Sequence, residues 1–454
     1  MTGLRPALIE WRRPRHETVL LVFVALGALL VVHPPGAQDT SRICVTRSIV
    51  HGSLSATSCL AGNGDRAEFG GRFYTDKAPG VSFLAIPAAQ IVRLGPPPWR
   101  HDGDLRLWAV RLATGGIALL VCALLLGRVA EGIAPGWGGA TLVTFSVGTL
   151  AASLAVDNFD EVPAAALGFG AFLLAWRRRP GWAGIVAGLA LVVEYQAALI
   201  AVLVGLYAAL AGGRALGRYA AGLVPGVALL GLYDQVAFGS PFHLSYRYVS
   251  KQFAVQQAGG FFGIHAPSWH AARLVLVGNR GLFVIAPVLL LAAAGLVLLW
   301  RRGARAESLL CGAVSVAFLV LELGYYDPYG GDSPGPRFFI PALPFLALGL
   351  APAFARWRVV TALFAAASVL ASTAVLLTWP AAVNAAAVYR WSVWRELALF
   401  LRHGSSSELA QWAQKTVASW LGAGRLGGAA IVLTAALGAL FLALSDGWRT
   451  GRRS

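Results

Sequence analysis

The chain of 454 residues contains few charged side chains: only 13% are Asp, Glu, Lys or Arg, whereas 57% are hydrophobic. Soluble domains are about a quarter charged, so this composition excludes an ordinary soluble protein. The mean hydropathy is +0.65, and apolar runs of about 18 or more residues are typical of membrane-spanning helices. We therefore expect an all-α, polytopic membrane protein.

The chain also lacks a continuous basic segment, although its formal net charge is +16. Binding to nucleic acid would require basic residues gathered on one soluble face, so nucleic acid is excluded as a partner. The arginines instead form small clusters between apolar runs. These clusters lie at 12–15, 177–179, 301–305, 356–358 and 449–453. Short cytoplasmic loops retain Lys and Arg, so the clusters predict that both termini are cytoplasmic.

Cysteine is scarce, with four residues, and no Cys/His spacing resembles a zinc site. We therefore expect no metal and no cofactor. Cys122 and Cys311 fall within apolar runs and are expected to be packing residues. Cys44 and Cys59 share a segment that the predicted topology places outside, in an oxidising compartment. The sequence leaves open whether these two residues form a disulfide.

The apolar runs and the arginine clusters together predict twelve transmembrane helices, each close to the roughly 20 residues that a bilayer core requires. The predicted spans are 18–33, 107–127, 137–156, 162–176, two short spans within 183–213 that meet near Glu194, 219–237, 282–300, 308–325, 338–354, 359–379 and 429–444. The run Ala78–Leu94 is expected to be an interfacial helix, because a further span there would move every later arginine cluster outside.

The chain divides into a transmembrane module at 1–379, with an outer loop at 34–106, and a C-terminal part at 380–454. The C-terminal part is predicted to hold amphipathic outer helices followed by the last span. One such helix is expected at Ala382–His403. A second is expected to begin at a capping box, Ser405-x-x-Glu408, and to continue through Trp412 and Trp420.

The polar residues gather in segments that the topology places outside the membrane, and all three lysines fall there. Residues Gly71–Gly80 form a polar island before the interfacial helix, in which Asp76 and Lys77 can hold a nucleophile and a phosphate close together. Asp39 follows the first span, so its carboxylate should lie near the membrane surface. If it has no chemical role, Asp39 caps a short surface helix expected at 40–50.

This layout resembles that of the GT-C superfamily of polytopic glycosyltransferases, which includes the protein O-mannosyltransferases and the lipid A aminoarabinose transferases. Three stretches carry the resemblance, which covers roughly residues 17–355 in layout. The first is Asp39 followed by Arg42, and the second is the pair Asp76-Lys77. The third is the segment at 330–345, which contains Gly-Pro-Arg-Phe-Phe-Ile-Pro-Ala-Leu-Pro-Phe and is similar to a segment common in bacterial members.

The resemblance implies a sugar donor carried on a polyprenyl phosphate and a catalytic acidic residue just after the first span. By position, Asp39 would be the base that acts on the acceptor hydroxyl, and Lys77 would hold the lipid phosphate. Most relatives have a second acidic residue directly after the first, whereas here Thr40 and Ser41 follow. Asp65 and Asp76 therefore remain as alternative bases.

The proposed chemistry requires one carboxylate and one or two cations, because the phosphate of the donor is already a good leaving group. General-base assistance contributes about 10²–10⁴-fold, and stabilisation of the departing charge can contribute more in a dry site. We predict Lys77 and Arg337 as the cations, although Arg337 could instead be an arginine that extends from the end of a span to the interface. Further predicted substrate-binding residues are Arg42, Tyr74, Asp332 and Tyr246.

Two other functions remain open at this stage. A twelve-helix secondary transporter would place ionisable residues near the bilayer midplane, with Glu194 and Glu322 as candidates. A non-catalytic protein that retains the fold is the second alternative. The charges at the outer edge favour an interfacial enzyme in a bacterial plasma membrane, with a lipid-linked donor and membrane lipids as partners. The sequence does not identify the sugar, the acceptor or the oligomeric state.

Overall fold

The computed structural model describes residues 14–99, 103–379 and 391–450. It is 74% helical with almost no sheet, which confirms the all-α prediction. The helices, numbered along the chain, are α1 (Pro14–Ala28), α2 (Ala37–Val50), α3 (Thr57–Leu60), α4 (Gly80–Ile91), α5 (Leu105–Arg111), α6 (Ile117–Ile133), α7 (Gly138–Val147), α8 (Ala151–Ala155), α9 (Glu161–Trp176), α10 (Pro180–Val193), α11 (Ala198–Ala209), α12 (Gly213–Phe238), α13 (Lys251–Ala258), α14 (Trp269–Val277), α15 (Leu282–Ile285), α16 (Val288–Arg301), α17 (Arg305–Gly324), α18 (Leu343–Ala347), α19 (Leu350–Arg356), α20 (Arg358–Thr378), α21 (Val393–His403), α22 (Glu408–Trp412) and α23 (Gly424–Thr450).

The strands are short and form two antiparallel pairs. Strand β1 (Val31–Val32) pairs with β4 (Lys415–Thr416), and β2 (Ala67–Phe69) pairs with β3 (Arg72–Tyr74). The first pair joins the segment after α1 to the segment before α23. The second pair is a hairpin within the loop at 34–106.

Five helices among the described residues are long and apolar enough to cross a membrane, and two bent pairs raise this number to seven. Six shorter apolar helices of 10–17 residues accompany them. The chain is therefore a multi-pass membrane protein. The number of twelve spans and the interfacial position of α4 stay predictions.

The predicted hinge near Glu194 is confirmed, because α10 ends at Val193 and α11 begins at Ala198 after a short 3-10 turn. Three other predicted spans, 137–156, 282–300 and 338–354, are also broken, although we expected them to be continuous. The chain bends by 86° within the second of these and by 51° within the third. Pro341 and Pro344 supply no backbone N–H to a helical ladder, which explains why this stretch begins as a 3-10 helix.

The loop at 34–106 packs α2 against α4 and against the membrane helices. A disulfide between Cys44 and Cys59 joins α2 to α3, which resolves the alternative that the sequence left open. The Thr46 hydroxyl donates to the Ser82 carbonyl at 3.0 Å, which links α2 to α4. Gly80 lets α4 approach α10, because a Cβ atom there would lie 2.6 Å from the Val192 carbonyl oxygen.

The C-terminal helices differ in part from their prediction. Residues 380–390 of the predicted helix Ala382–His403 lie outside the described residues, and α21 covers the remainder. The predicted capping box is wrong: Ser407 is the N-cap of α22, because the chain first makes a 3-10 turn at Gly404–Ser406. That helix ends at Trp412, since the strand pairing of Lys415 and Thr416 with β1 requires extended backbone.

Candidate active site

A cavity of about 580 Å³ lies where the loop at 34–106 meets three other segments between the apolar helices. Its wall is formed by the start of α2, the loop at 64–77, the connection between α8 and α9, the helix α13 and the loop at 325–337. Six predicted site residues line this cavity, and three do not. The lining residues are Asp39, Asp65, Asp76, Lys77, Asp332 and Arg337, and the others are Arg42, Tyr74 and Tyr246.

Asp39 lies in the first turn of α2, and both of its carboxylate oxygens are engaged. The Arg111 guanidinium donates to them through Nε at 2.9 Å and Nη2 at 2.6 Å. The backbone N–H groups of Gly36 and Asn158 donate at 2.9 and 3.0 Å. Burial raises the pKa of Asp39, but attraction to Arg111 and these hydrogen bonds outweigh it and hold the pKa below its usual value. Asp39 is therefore a weak base. The helix begins at Ala37, earlier than the predicted 40–50, so Asp39 is not its N-cap but its third residue, and its carboxylate accepts from the backbone of the N-cap Gly36.

Asp76 is also buried, but only one of its carboxylate oxygens has a partner. Oδ2 accepts a hydrogen bond from Lys77 Nζ at 2.8 Å, whereas Oδ1 has none among the described residues. The backbone carbonyl of Asp76 accepts from the Ser245 hydroxyl at 2.9 Å, which holds the segment in place. Burial raises the pKa of Asp76 above its usual value, against the opposing attraction of Lys77. This carboxylate combines a stronger basicity with a buried oxygen that accepts no hydrogen bond from a described residue.

Lys77 is the cation that the loop at 34–106 contributes to the lining of this cavity. In addition to Asp76, its ammonium group faces Asp65 Oδ1 at 3.8 Å. Burial lowers the pKa of Lys77, but the attraction of Asp76 and Asp65 raises it above its usual value. Lys77 therefore stays protonated at neutral pH, and it is 12% exposed toward the cavity.

Arg337 is buried in the protein at 6% exposure, which does not fit an arginine that extends to the membrane surface. Its Nη1 atom forms an ion pair with Glu161 Oε1 at 3.1 Å. The ring centroids of Phe159 and Phe338 lie 5.3 and 4.6 Å from its guanidinium carbon. Its Nε atom has no hydrogen-bond partner among the described residues. A buried donor of this kind at a cavity wall is suited to an anionic ligand.

The three remaining predicted residues lie behind the wall. Arg42 is fully buried, with an ion pair to Asp160 at 2.7 Å and a hydrogen bond to Gln38 at 2.8 Å. Tyr74 packs its ring 5.3 Å from that of Phe238. The Tyr246 ring meets Tyr195 edge-on at 5.2 Å. Their roles in substrate binding stay predictions.

The sequence reasoning gave no role in the site to residues 157–161, which form the connection between α8 and α9 and the first residue of α9, although each of them contacts part of the site. Asp157 pairs with His33 at 3.1 Å, and the backbone of Asn158 donates to Asp39. Phe159 lines the cavity, Asp160 pairs with Arg42, and Glu161 pairs with Arg337. Three acidic residues within five positions in an apolar chain were the available signal.

Arg111 was missed as well, because it falls inside the predicted span 107–127. It is fully buried, and it donates to the His33 carbonyl at 2.8 Å in addition to Asp39. An ionisable residue inside a membrane helix indicates a functional role by default, and that rule would have selected it.

Three carboxylates near the cavity are close enough to act as metal ligands, since one oxygen each from Asp160, Glu161 and Glu194 lie within 4.8 Å of one another. Two guanidinium groups, those of Arg42 and Arg337, already pair with this cluster. They neutralise much of the negative charge that would attract a divalent cation. The expectation of no metal stays a prediction.

Comparison with solved structures shows a shared fold. ArnT from Cupriavidus metallidurans bound to undecaprenyl phosphate superposes with a TM-score of 0.52 at 16% identity, over 96% of this chain and 77% of that chain. The apo state of the same protein gives 0.49 at 14% identity over the same shares. The Archaeoglobus fulgidus oligosaccharyltransferase gives 0.45 at 11% identity, over 96% of this chain and 56% of that chain.

The likeness to ArnT confirms the predicted GT-C fold. No protein-family model matches the chain, and no curated protein matches it in sequence.

Proposed function

We propose that this protein is a membrane glycosyltransferase that moves a sugar from a polyprenyl-phosphate donor to an acceptor on the outer side of the membrane. The observation that carries the proposal is the cavity at 34–39, 64–77 and 325–337, in which two buried cations, Lys77 and Arg337, line the same wall as the carboxylates of Asp39 and Asp76. The shared fold supports it, since ArnT was solved with undecaprenyl phosphate bound.

The two cations are suited to the phosphate of the donor. When the bond between the anomeric carbon and the phosphate oxygen breaks, negative charge develops on that oxygen. Fixed cations in a site with little water stabilise such charge without reorganising. Lys77 supplies an ammonium group, and Arg337 supplies an Nε donor that no described residue occupies. We infer that both bind the phosphate of the donor and of the polyprenyl phosphate product.

A carboxylate activates the hydroxyl group of the acceptor. The acceptor oxygen forms the new bond to the anomeric carbon of the sugar, the hydroxyl proton moves to the carboxylate, and polyprenyl phosphate leaves. The geometry favours Asp76 as this base, because Asp39 would have to give up hydrogen bonds to Arg111 to accept a proton. We infer that Asp39 instead holds the start of α2 and Arg111 in place, and that Asp65 supports Lys77.

The finer features of the prediction belong to the same proposal. We propose twelve spans with both termini cytoplasmic, which puts the cavity on the outer face of a bacterial plasma membrane. The acceptor is then a lipid, glycan or protein on that side. Profiling of lipid-linked sugars and envelope glycans in a strain that lacks the protein would identify which sugar and acceptor accumulate or disappear.

Binding of undecaprenyl phosphate to the purified protein in lipid nanodiscs tests the proposal. We expect Lys77→Met and Arg337→Met each to weaken binding by about 10- to 100-fold, since a hydrogen bond to a charged group contributes about 1.5–3 kcal/mol. Lys251→Met is the matched control, because Lys251 is exposed and does not line the cavity. Absence of binding to the wild-type protein, or equal losses in all three variants, would contradict the proposal.

A further inference from the structure

Arg337 reaches the cavity along a path that leaves its side chain little freedom. Its guanidinium lies near the rings of Phe159 and Phe338. On the loop side it passes Gly330, where φ is +74° and a Cβ atom would lie 2.7 Å from Arg337 Nε. These packing contacts restrict the position of the side chain, but uncharged rings and a glycine do not set which way the guanidinium points along this path.

Glu161 supplies the one ion pair that the described residues provide for Arg337. It is the first residue of α9 and has no measurable exposure. Its Oε1 atom lies 3.1 Å from Arg337 Nη1, and neither oxygen accepts a hydrogen bond from a described residue. Glu161 does not line the cavity, so it cannot contact a ligand there directly.

A competing partner for Arg337 lies next to Glu161. Asp160 pairs with Arg42, and its carboxylate lies within 4.8 Å of that of Glu161. A buried arginine that loses its partner is strongly destabilised, so it turns to the nearest remaining acid. Without the charge of Glu161, Arg337 would turn toward Asp160 and away from the cavity.

We propose that Glu161 is a positioning residue, which holds the Arg337 guanidinium at the cavity wall where a phosphate binds. The inference rests on the proposed function, since it assumes that Arg337 contacts the phosphate of a polyprenyl carrier. It adds a residue that touches no ligand but sets how strongly one of the two cations acts. The ion pair between Glu161, at the start of α9, and Arg337, at the end of the loop at 325–337, thereby links the connection between α8 and α9 to phosphate binding.

The test compares two variants that each replace one buried, paired glutamate by glutamine. Glu161→Gln should weaken binding of undecaprenyl phosphate in nanodiscs about tenfold or more, because a misdirected Arg337 loses a charge-assisted hydrogen bond to the phosphate. Glu17→Gln is the matched control: it makes the same change at another buried glutamate, whose partner is Arg128, and neither residue lines the cavity. We expect the control to change the affinity by less than about threefold, the small effect that is usual for a substitution away from the binding site.

A double-mutant cycle separates positioning from a merely structural role. In an Arg337→Met background, Glu161→Gln should cause no further loss of affinity, because its effect passes through Arg337. Glu161→Asp, which keeps the charge but withdraws it by one methylene, should show an intermediate loss. This second variant keeps the test decisive if Glu161→Gln does not fold.

The failure of this inference is distinguishable from that of the proposed function. If the wild-type protein binds undecaprenyl phosphate and Arg337→Met weakens binding, but Glu161→Gln binds like wild type, only the positioning role is overturned. An equal loss from Glu161→Gln with and without Arg337 overturns it as well. If the wild-type protein does not bind undecaprenyl phosphate, the proposed function itself fails.

Discussion

Replacement of Asp76 by Asn should reduce the rate of sugar transfer far more than it reduces donor binding. Asn keeps the volume of the side chain and can still accept a hydrogen bond from Lys77, but it cannot take a proton. Oδ1 of Asp76 is the oxygen that no described residue engages, so the substitution removes the proposed base without breaking a second contact there. Lys77 keeps Asp65 as a partner at 3.8 Å.

The expected loss in kcat is about 10²–10⁴-fold, the usual contribution of general-base assistance, which equals about 3–5 kcal/mol in the barrier. The same substitution at Asp39 should act through stability instead, because that carboxylate is the partner of the buried Arg111. Breaking such a pair from one side costs about 3–5 kcal/mol of unfolding free energy. Thermal unfolding of both variants should therefore be measured together with their kinetics, to separate a loss of stability from a loss of catalysis.

The pH profile of kcat identifies the base. A base must be deprotonated, so the rate falls as the pH drops through its pKa. Because burial raises the pKa of Asp76, the acid limb of the wild-type profile should lie above the usual range for Asp, and it should be missing in Asp76→Asn. Since the pKa of Asp39 is lowered, a limb below the usual range would assign the base to Asp39. That result, or an Asp76→Asn enzyme within about tenfold of wild type, would refute the reasoning.

Two further predictions concern the framework that holds the site. Cys59→Ser removes the disulfide with Cys44, 15 positions away, and should lower the free energy of unfolding by about 3 kcal/mol in denaturant titrations. Reduction of the wild-type protein should have the same effect. Equal stability of the oxidised wild type and the variant would contradict this. Gly80→Ala places a Cβ atom 2.6 Å from the Val192 carbonyl oxygen and should lower the free energy of unfolding by about 1–3 kcal/mol. Gly62→Ala is the control: it has open space around it and should change that free energy by less than about 0.5 kcal/mol. Similar losses in both variants would show that α4 does not pack tightly on α10.

Much of the candidate site was predictable because its residues break the apolar pattern locally. Asp76 and Lys77 are adjacent in sequence and remain adjacent in space, so their pairing needed no knowledge of the fold. The same holds for the hinge at Glu194, where a polar triplet interrupts an apolar run. In contrast, the prediction of a continuous span at 338–354 overlooked the backbone effect of its prolines, since hydropathy alone does not register a missing N–H.

The contacts across long sequence separations were not predictable. Asp39 and Arg111 are 72 positions apart, and the Asp39 partner Asn158 lies 119 positions away. Which acid meets which arginine depends on how the helix ends assemble, and a single sequence does not contain that geometry. The sequence therefore could not show that both carboxylate oxygens of Asp39 already accept hydrogen bonds, and the choice of Asp76 as the base depends on this.

By itself the sequence determined the class of the molecule, a helical membrane protein with its polar residues gathered between the apolar runs, because composition and apolar run length act on each segment independently. It also determined the chemical types available there, carboxylates and a few cations. Only the tertiary structure decided which of these groups share a cavity, which are fully hydrogen-bonded or ion-paired, and which have an atom without a hydrogen-bond partner among the described residues. The physical reason is that burial and pairing set the charge and reactivity of a buried group, and both depend on neighbours that are remote along the chain.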